Sequence, residues 1–390
     1  MARNYRIVSA DGHTLEPPDL WERYLPSEFH QDHLPRLVED DSGGQSWLVP
    51  GGQPSPVGLV ATGGQRYEEF RWSGGTYAGM TPGTYDGKAR LAEQDFDGID
   101  AEVLFPSNSP RTIAYFANHP DPDVHEAGIE AYNTWMLEDF AAADPDRLIA
   151  TAMLPQRGID RTVEALHQAK ARGFRTIYLQ TLPSGGAKLS RDDDAFWAAA
   201  EELDMPINLH TMLQPSYRNL PAEVRAKIPD PFAQGAKLPD LVSMGGAVGQ
   251  FSAVIAEFIY SGMFDRFPKL KLVGTEVGAS WVPALLEHMD DHYWRNRTWT
   301  GIHLDLLPSE YFRRNWLVTF IREPFAVRVR HSIGVNNMMW STDYPHHRHD
   351  VPYSRRLIEE MFLDVPQPEK HAIIAMNAVD LYKLPHDPNT

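Results

Sequence analysis

Eight short apolar runs, each followed by a segment of helical period, predict an α/β fold. The form expected is a distorted (β/α)8 TIM barrel with inserted loops and hairpins at its C-terminal face. The runs fall at residues 5–10, 101–105, 148–153, 176–179, 206–209, 271–274, 316–319 and 338–341. They are too brief for helices, and several are rich in Val, Ile and Leu. Strict alternation of strand and helix implies parallel strands joined by right-handed crossovers. An open doubly wound sheet is the rival, but it would bring a glycine-rich phosphate turn. Ser9-Ala10-Asp11-Gly12-His13 carries none.

Helical period appears at 88–97, 123–143 and 160–172, the last opening on Asp160 and stopping at Gly173. Residues 192–203 lead with three acids, which favour a helix N-terminus. Segments 249–267, 280–295, 324–333, 352–362 and 367–376 complete the series. Residues 1–390 therefore read as one barrel domain with two insertions, at about 40–87 and 211–245. The first holds four Gly pairs around strand-like pieces and predicts one or two hairpins. The second holds Pro215, Pro221, Pro229, Pro231 and Pro239. Both leave from strand C-termini, where barrel active sites form, so both are candidate lids.

Hydrophobic residues make up 42% of the chain, enough for a large core, and no run approaches the roughly 20 apolar residues of a membrane span. The first five residues are too short and polar for a signal peptide, so a cytoplasmic protein is expected. A net charge of −17 disfavours nucleic acid and anionic membrane as partners, leaving a small-molecule substrate. With no cysteine, any metal site must use oxygen and imidazole nitrogen, which suits Zn, Mn or Fe.

Candidate ligands gather at strand ends. Asp11 and His13 lie two apart on the first strand, so their side chains share a face. The plain alternative is a turn that ends the strand at Gly12. His210 closes the fifth strand as a ligand or a core histidine. Glu276 follows the sixth, as a ligand, a bridge between two ions, a proton carrier, or the partner of Arg322 or Arg348. Asp343 follows the eighth, as a ligand or general base. His346 comes next as a partner that orients a ligand or as a proton shuttle, with His347 and His349 expected to face solvent. Four strand ends carrying such residues at once is a coincidence that a purely structural reading does not explain.

The sequence resembles the amidohydrolase superfamily, in the amidohydrolase-2 branch that includes aminocarboxymuconate-semialdehyde and resorcylate decarboxylases. The matching pieces are Ser9-Ala10-Asp11-Gly12-His13-Thr14-Leu15-Glu16-Pro17, Arg90-Leu91 with Asp97-Gly98-Ile99-Asp100, and Ile207-Asn208-Leu209-His210. Phe267-Pro268-Lys269-Leu270-Lys271-Leu272, Ser341-Thr342-Asp343-Tyr344-Pro345-His346 and Asn377-Ala378 extend them along nearly the whole chain. The resemblance implies a catalytic divalent ion, with Asp11, His13, His210 and Asp343 as ligands, and a homodimer or higher oligomer. It also implies a histidine after the sixth strand, where this chain has Glu276.

That substitution makes a metal-dependent hydrolase the leading expectation, acting on an ester, thioester, lactone or amide of a small organic acid. The ion would lower the pKa of a bound water towards about 7. Asp343 would take its proton, and Glu276 or His346 would return it to the leaving group. One ion is expected, or two bridged by Glu276. The second expectation is a non-oxidative decarboxylase or hydratase of an aromatic or dienoic acid, suggested by Tyr67, Phe70, Trp72, Tyr77 and Tyr217 in the insertions. The third is a non-catalytic binding protein on a degenerate barrel.

Overall fold

The computed structural model describes residues 3–107, 112–211 and 240–387. Its eight-stranded parallel sheet has the order β1 (Val8–Thr14), β5 (Ala101–Pro106), β6 (Leu148–Met153), β7 (Thr176–Leu179), β8 (Ile207–His210), β9 (Leu272–Thr275), β10 (Trp316–Phe320), β11 (Met338–Trp340). Every position in these strands is buried, as expected of a sheet covered by helices outside and by its own side chains within. The two ends of the sheet meet through one isolated bridge, Gly12 to Tyr344, so the barrel is nearly closed and its seam lies between β1 and β11.

The predicted strands match within a few residues, with one informative difference. β1 starts at Val8 and runs through Asp11 to Thr14, past the expected end at residue 10. Gly12 is therefore not a turn. A Cβ there would sit 2.1 Å from the Glu102 carboxylate, so the strand needs glycine to let Glu102 pack against it. The register also shifts between Ser9 and Gly12, a bulge that re-aims Asp11 and His13.

Helices cover the outside, as the periodicity predicts, with breaks where the backbone demands them. The segment expected at 249–267 splits into Ser252–Tyr260 and Met263–Arg266 because Gly262 adopts a left-handed φ of 67°. That expected at 324–333 splits into Pro324–Arg328 and Arg330–Ile333. Helices Leu20–Tyr24, Thr112–Ala117 and Pro308–Asn315 were not anticipated. Pro308 at the first helical position was a usable signal for the last.

The first insertion differs from its prediction in where it begins. Its three-stranded antiparallel sheet starts earlier, with β2 (Arg36–Glu39), β3 (Gln45–Leu48) and β4 (Ser55–Pro56). Its two antiparallel pairings make the two hairpins expected, and residues 57–86 beyond them hold short 3-10 turns. Most of the second insertion, with Tyr217, lies outside the described residues. Among those described, no helix is long and apolar enough to cross a membrane.

Candidate metal centre

Parallel strands deliver their C-terminal residues to one rim, and the sequence-predicted residues meet there. Donor atoms of Asp11, His13, His210 and Glu276 lie within 4.8 Å of one another, and so do those of His13, Asp343 and His346. All are buried or nearly so. Three of the residues that turn the chain at the rim, Thr211, Glu276 and Asp343, have left-handed φ of 56° to 58°. In a non-glycine residue this costs of the order of 1–3 kcal/mol, and such strain concentrates at functional sites.

The imidazoles are set up as neutral donors. His13 donates from Nδ1 to the Pro106 carbonyl at 3.2 Å, which leaves the Nε2 lone pair facing the cluster. His210 presents its own Nε2 to His13 Nε2 at 3.2 Å and to Asp11 Oδ1 at 3.3 Å. Burial pushes the His13 pKa down to about 3 and also lowers that of His210. Burial beside Asp343 raises that of Asp11. Asp343 is held well below the usual carboxylate range against the cost of its burial, because His346 and His13 face it. Conversely Asp343 raises the His346 imidazole, although burial alone would lower it.

A divalent cation fits this arrangement. Asp11 Oδ2 and both Asp343 oxygens are buried without a hydrogen-bond partner. Asp343 Oδ1 lies 3.3 Å from His13 Nε2 and 3.0 Å from His346 Nδ1, but neither approach has hydrogen-bond alignment. Buried carboxylate oxygens without a hydrogen bond are costly unless a cation takes them up.

Glu276 stands apart within the cluster. Its Oε1 pairs with Arg348 at 3.0 Å, the alternative partner named from the sequence, while its Oε2 is 3.7 Å from the outer nitrogen of His210. Burial and the neighbouring Asp343 push its carboxyl up to about 7.

Several side chains at the rim carried no sequence signal as site residues. Ser107, just beyond β5, meets His346 Nε2 at 3.0 Å, and the His346 ring stacks on His13 at 3.7 Å. Arg348 was named only as a partner for Glu276. His349 is buried and His347 partly so, which corrects the expectation that both face solvent. Loop residues 345–349 are covered by the first insertion: Thr62 donates twice to the Pro345 carbonyl, each at 3.0 Å, and His347 donates to that of Leu59. Tyr77, a candidate for the pocket, instead packs in the core and receives the Trp47 indole N–H.

Comparison with known proteins agrees with this picture. The amidohydrolase family model matches residues 92–384, most of the chain. The decarboxylase orsB of Emericella nidulans is 28% identical over 273 residues, covering 66% of this chain and 74% of its own. The gamma-resorcylate decarboxylase of Rhodococcus jostii is 27% identical over 301 residues, covering 69% and 83%. Among solved structures, 5-carboxyvanillate decarboxylase of Novosphingobium aromaticivorans superposes with a TM-score of 0.65. It shares 18% identity and covers 98% of this chain and 97% of that one, and it was crystallised with manganese and 4-hydroxy-3-methoxy-5-nitrobenzoic acid. The solved structure shows the fold, and the two sequence relatives favour the decarboxylase expectation over the hydrolase one.

Proposed function

The chain belongs to the amidohydrolase family, and we propose that it is a manganese-dependent, non-oxidative decarboxylase of a hydroxylated aromatic acid. The observation that carries this reading is that the two curated relatives described above, each matched over about two thirds of this chain, are decarboxylases. The replacement of a rim histidine by Glu276 favoured hydrolysis on residue type alone. In the fold, Glu276 is engaged by Arg348 and faces the outer edge of His210, a place from which it orients a ligand.

Asp11, His13, His210 and Asp343 would hold the ion, and the mixed oxygen and nitrogen set suits manganese. Bound there, a divalent cation supplies a Lewis acid towards the oxygens of the substrate. The chain's own residues handle the proton. Loss of carbon dioxide leaves an electron pair on the ring carbon, and one proton must replace the departing group. The Asp343–His346 pair stores that proton, resting on His346 because Asp343 stabilises the imidazolium. Asp343 delivers it from a buried position, so the carbon and not bulk water receives it. Ser107 keeps the His346 ring turned so that Nδ1 faces Asp343.

The test is product analysis on manganese-loaded protein given 2,6-dihydroxybenzoate and 5-carboxyvanillate, beside ester, thioester and lactone substrates. Release of carbon dioxide, with one solvent deuterium on the ring carbon in heavy water, is expected. Ester or thioester hydrolysis without carbon dioxide would return the reading to a hydrolase.

A further inference from the structure

The seam of the barrel runs directly under the cluster, and a continuous ladder does not close it. Around the single bridge at Gly12 and Tyr344, two backbone bonds cross it: Asp343 N–H to the Asp11 carbonyl at 2.9 Å and His13 N–H to the Tyr344 carbonyl at 2.7 Å. Both join residues at or beside the candidate ligands, so the width of the seam sets the width of the site.

One side chain spans that seam. Arg90, on the helix Gly87–Asp97 and 1% exposed, donates through Nη2 to the carbonyl of His13 at 2.9 Å and to that of Tyr344 at 3.0 Å. Its Nη1 donates to the Gly83 carbonyl at 2.9 Å, and its Nε to Glu102 Oε2 at 2.8 Å. The Tyr344 ring lies over the guanidinium at 4.4 Å. Glu102, also 1% exposed, accepts from Gln94 and, through its other oxygen, from Thr342 at 3.0 Å. Thr342 in turn meets Ser9 across the seam at 3.0 Å. Four donors of one planar cation are thus used, and two of them grip the strand ends that carry His13 and Asp343.

We propose that Arg90, anchored by Glu102, is a positioning residue that fixes the spacing of the β1 and β11 ends, and hence the affinity of the rim for a divalent cation. The inference rests on the ligand reading above. A guanidinium is suited to this because its fork is rigid and cannot lose its charge. A lysine ammonium pairs with Glu102 but cannot span two carbonyls in fixed geometry.

The test compares wild type with Arg90→Lys and with the double variant Arg90→Met/Glu102→Gln. The double change removes both buried charges together, which avoids leaving Glu102 unpaired. Each metal-free protein is checked by circular dichroism and thermal midpoint, and manganese affinity is then measured by competition with a chromophoric chelator. The expected result is a folded chain with affinity reduced about tenfold in Arg90→Lys and about 10- to 100-fold in the double variant. Manganese affinity within twofold of wild type in a folded variant overturns the proposal. Should the double variant not fold, Arg90→Lys decides alone by the same criterion. Failure of the wild type to bind manganese overturns the ligand reading, and this inference with it. Binding by the wild type with unchanged variants overturns this inference alone.

Discussion

Asp11, His13 and Asp343 stand on strand ends joined by backbone bonds, by the Arg90–Glu102 pair beneath them and by an insertion bonded over the following loop. Across the rim, His210 rests its ring against Phe105 and Tyr178, and Glu276 is held at its carboxylate by Arg348, whose side chain is 53% exposed. One side is tied through buried polar groups, which are strong because they are dry. The other is tied through aromatic edges and a solvent-facing ion pair, which water and salt weaken. The comparison separates two tasks. The seam side sets ligand geometry, and the opposite side is where residue type can vary and adjust the chemistry.

The largest effect that could break this division is at Asp343. Asp343→Asn keeps the shape but removes the base of the proton pair. Turnover should fall about 10²- to 10⁴-fold, measured by carbon dioxide release at saturating manganese; a loss below tenfold would remove Asp343 from proton transfer. On the opposite side, Glu276→Gln keeps the size and weakens the hold on Arg348. It should lower manganese affinity or turnover about 10-fold or somewhat more. Abolished binding, on the scale of losing a ligand, would instead make Glu276 a ligand or bridge.

Smaller effects test the seam side as a structural unit. Glu16, three residues beyond His13, is fully buried, and burial pushes its carboxyl up to about 7. The folded chain therefore keeps a proton there that the unfolded chain releases in the ordinary carboxylate range. Stability should fall as pH rises through that window to about 7, and Glu16→Gln should flatten the slope by about 1–3 kcal/mol. Urea midpoints of metal-free protein at pH 5 and pH 8 measure this, and equal slopes would contradict it. Least of all, Thr62→Val removes a side-chain bond to the Pro345 carbonyl and should cost about 0.5–1.5 kcal/mol by thermal unfolding. A larger loss, with altered substrate KM, would mean that the insertion is poised over the site more delicately than its bonds indicate.

The legible parts of the molecule are those in which residue type alone determines environment. Strands such as 148–153 were readable because they are buried on both faces and apolar but for Thr151. Asp11, His13, His210, Glu276 and Asp343 were readable because strand ends share a rim, so a one-dimensional pattern maps onto one place. Arg90 was legible only as a fragment of a family motif, since an arginine on a helix ordinarily faces water and nothing in its spacing reveals a buried carboxylate partner. Ser107 offered no signal, as one serine after a strand is unremarkable. His349 was misread because a histidine in a polar loop looks solvated, and the insertion that covers it is distant in sequence.

Metal content of protein purified without chelators, determined by elemental analysis for wild type and His210→Ala side by side, tests the central claim most directly. The account predicts about one manganese per wild-type chain, little or none in the variant, and carbon dioxide release that tracks the metal. Two ions per chain would restore Glu276 as a bridge. Wild-type protein without metal, or activity indifferent to a chelator, would contradict the account.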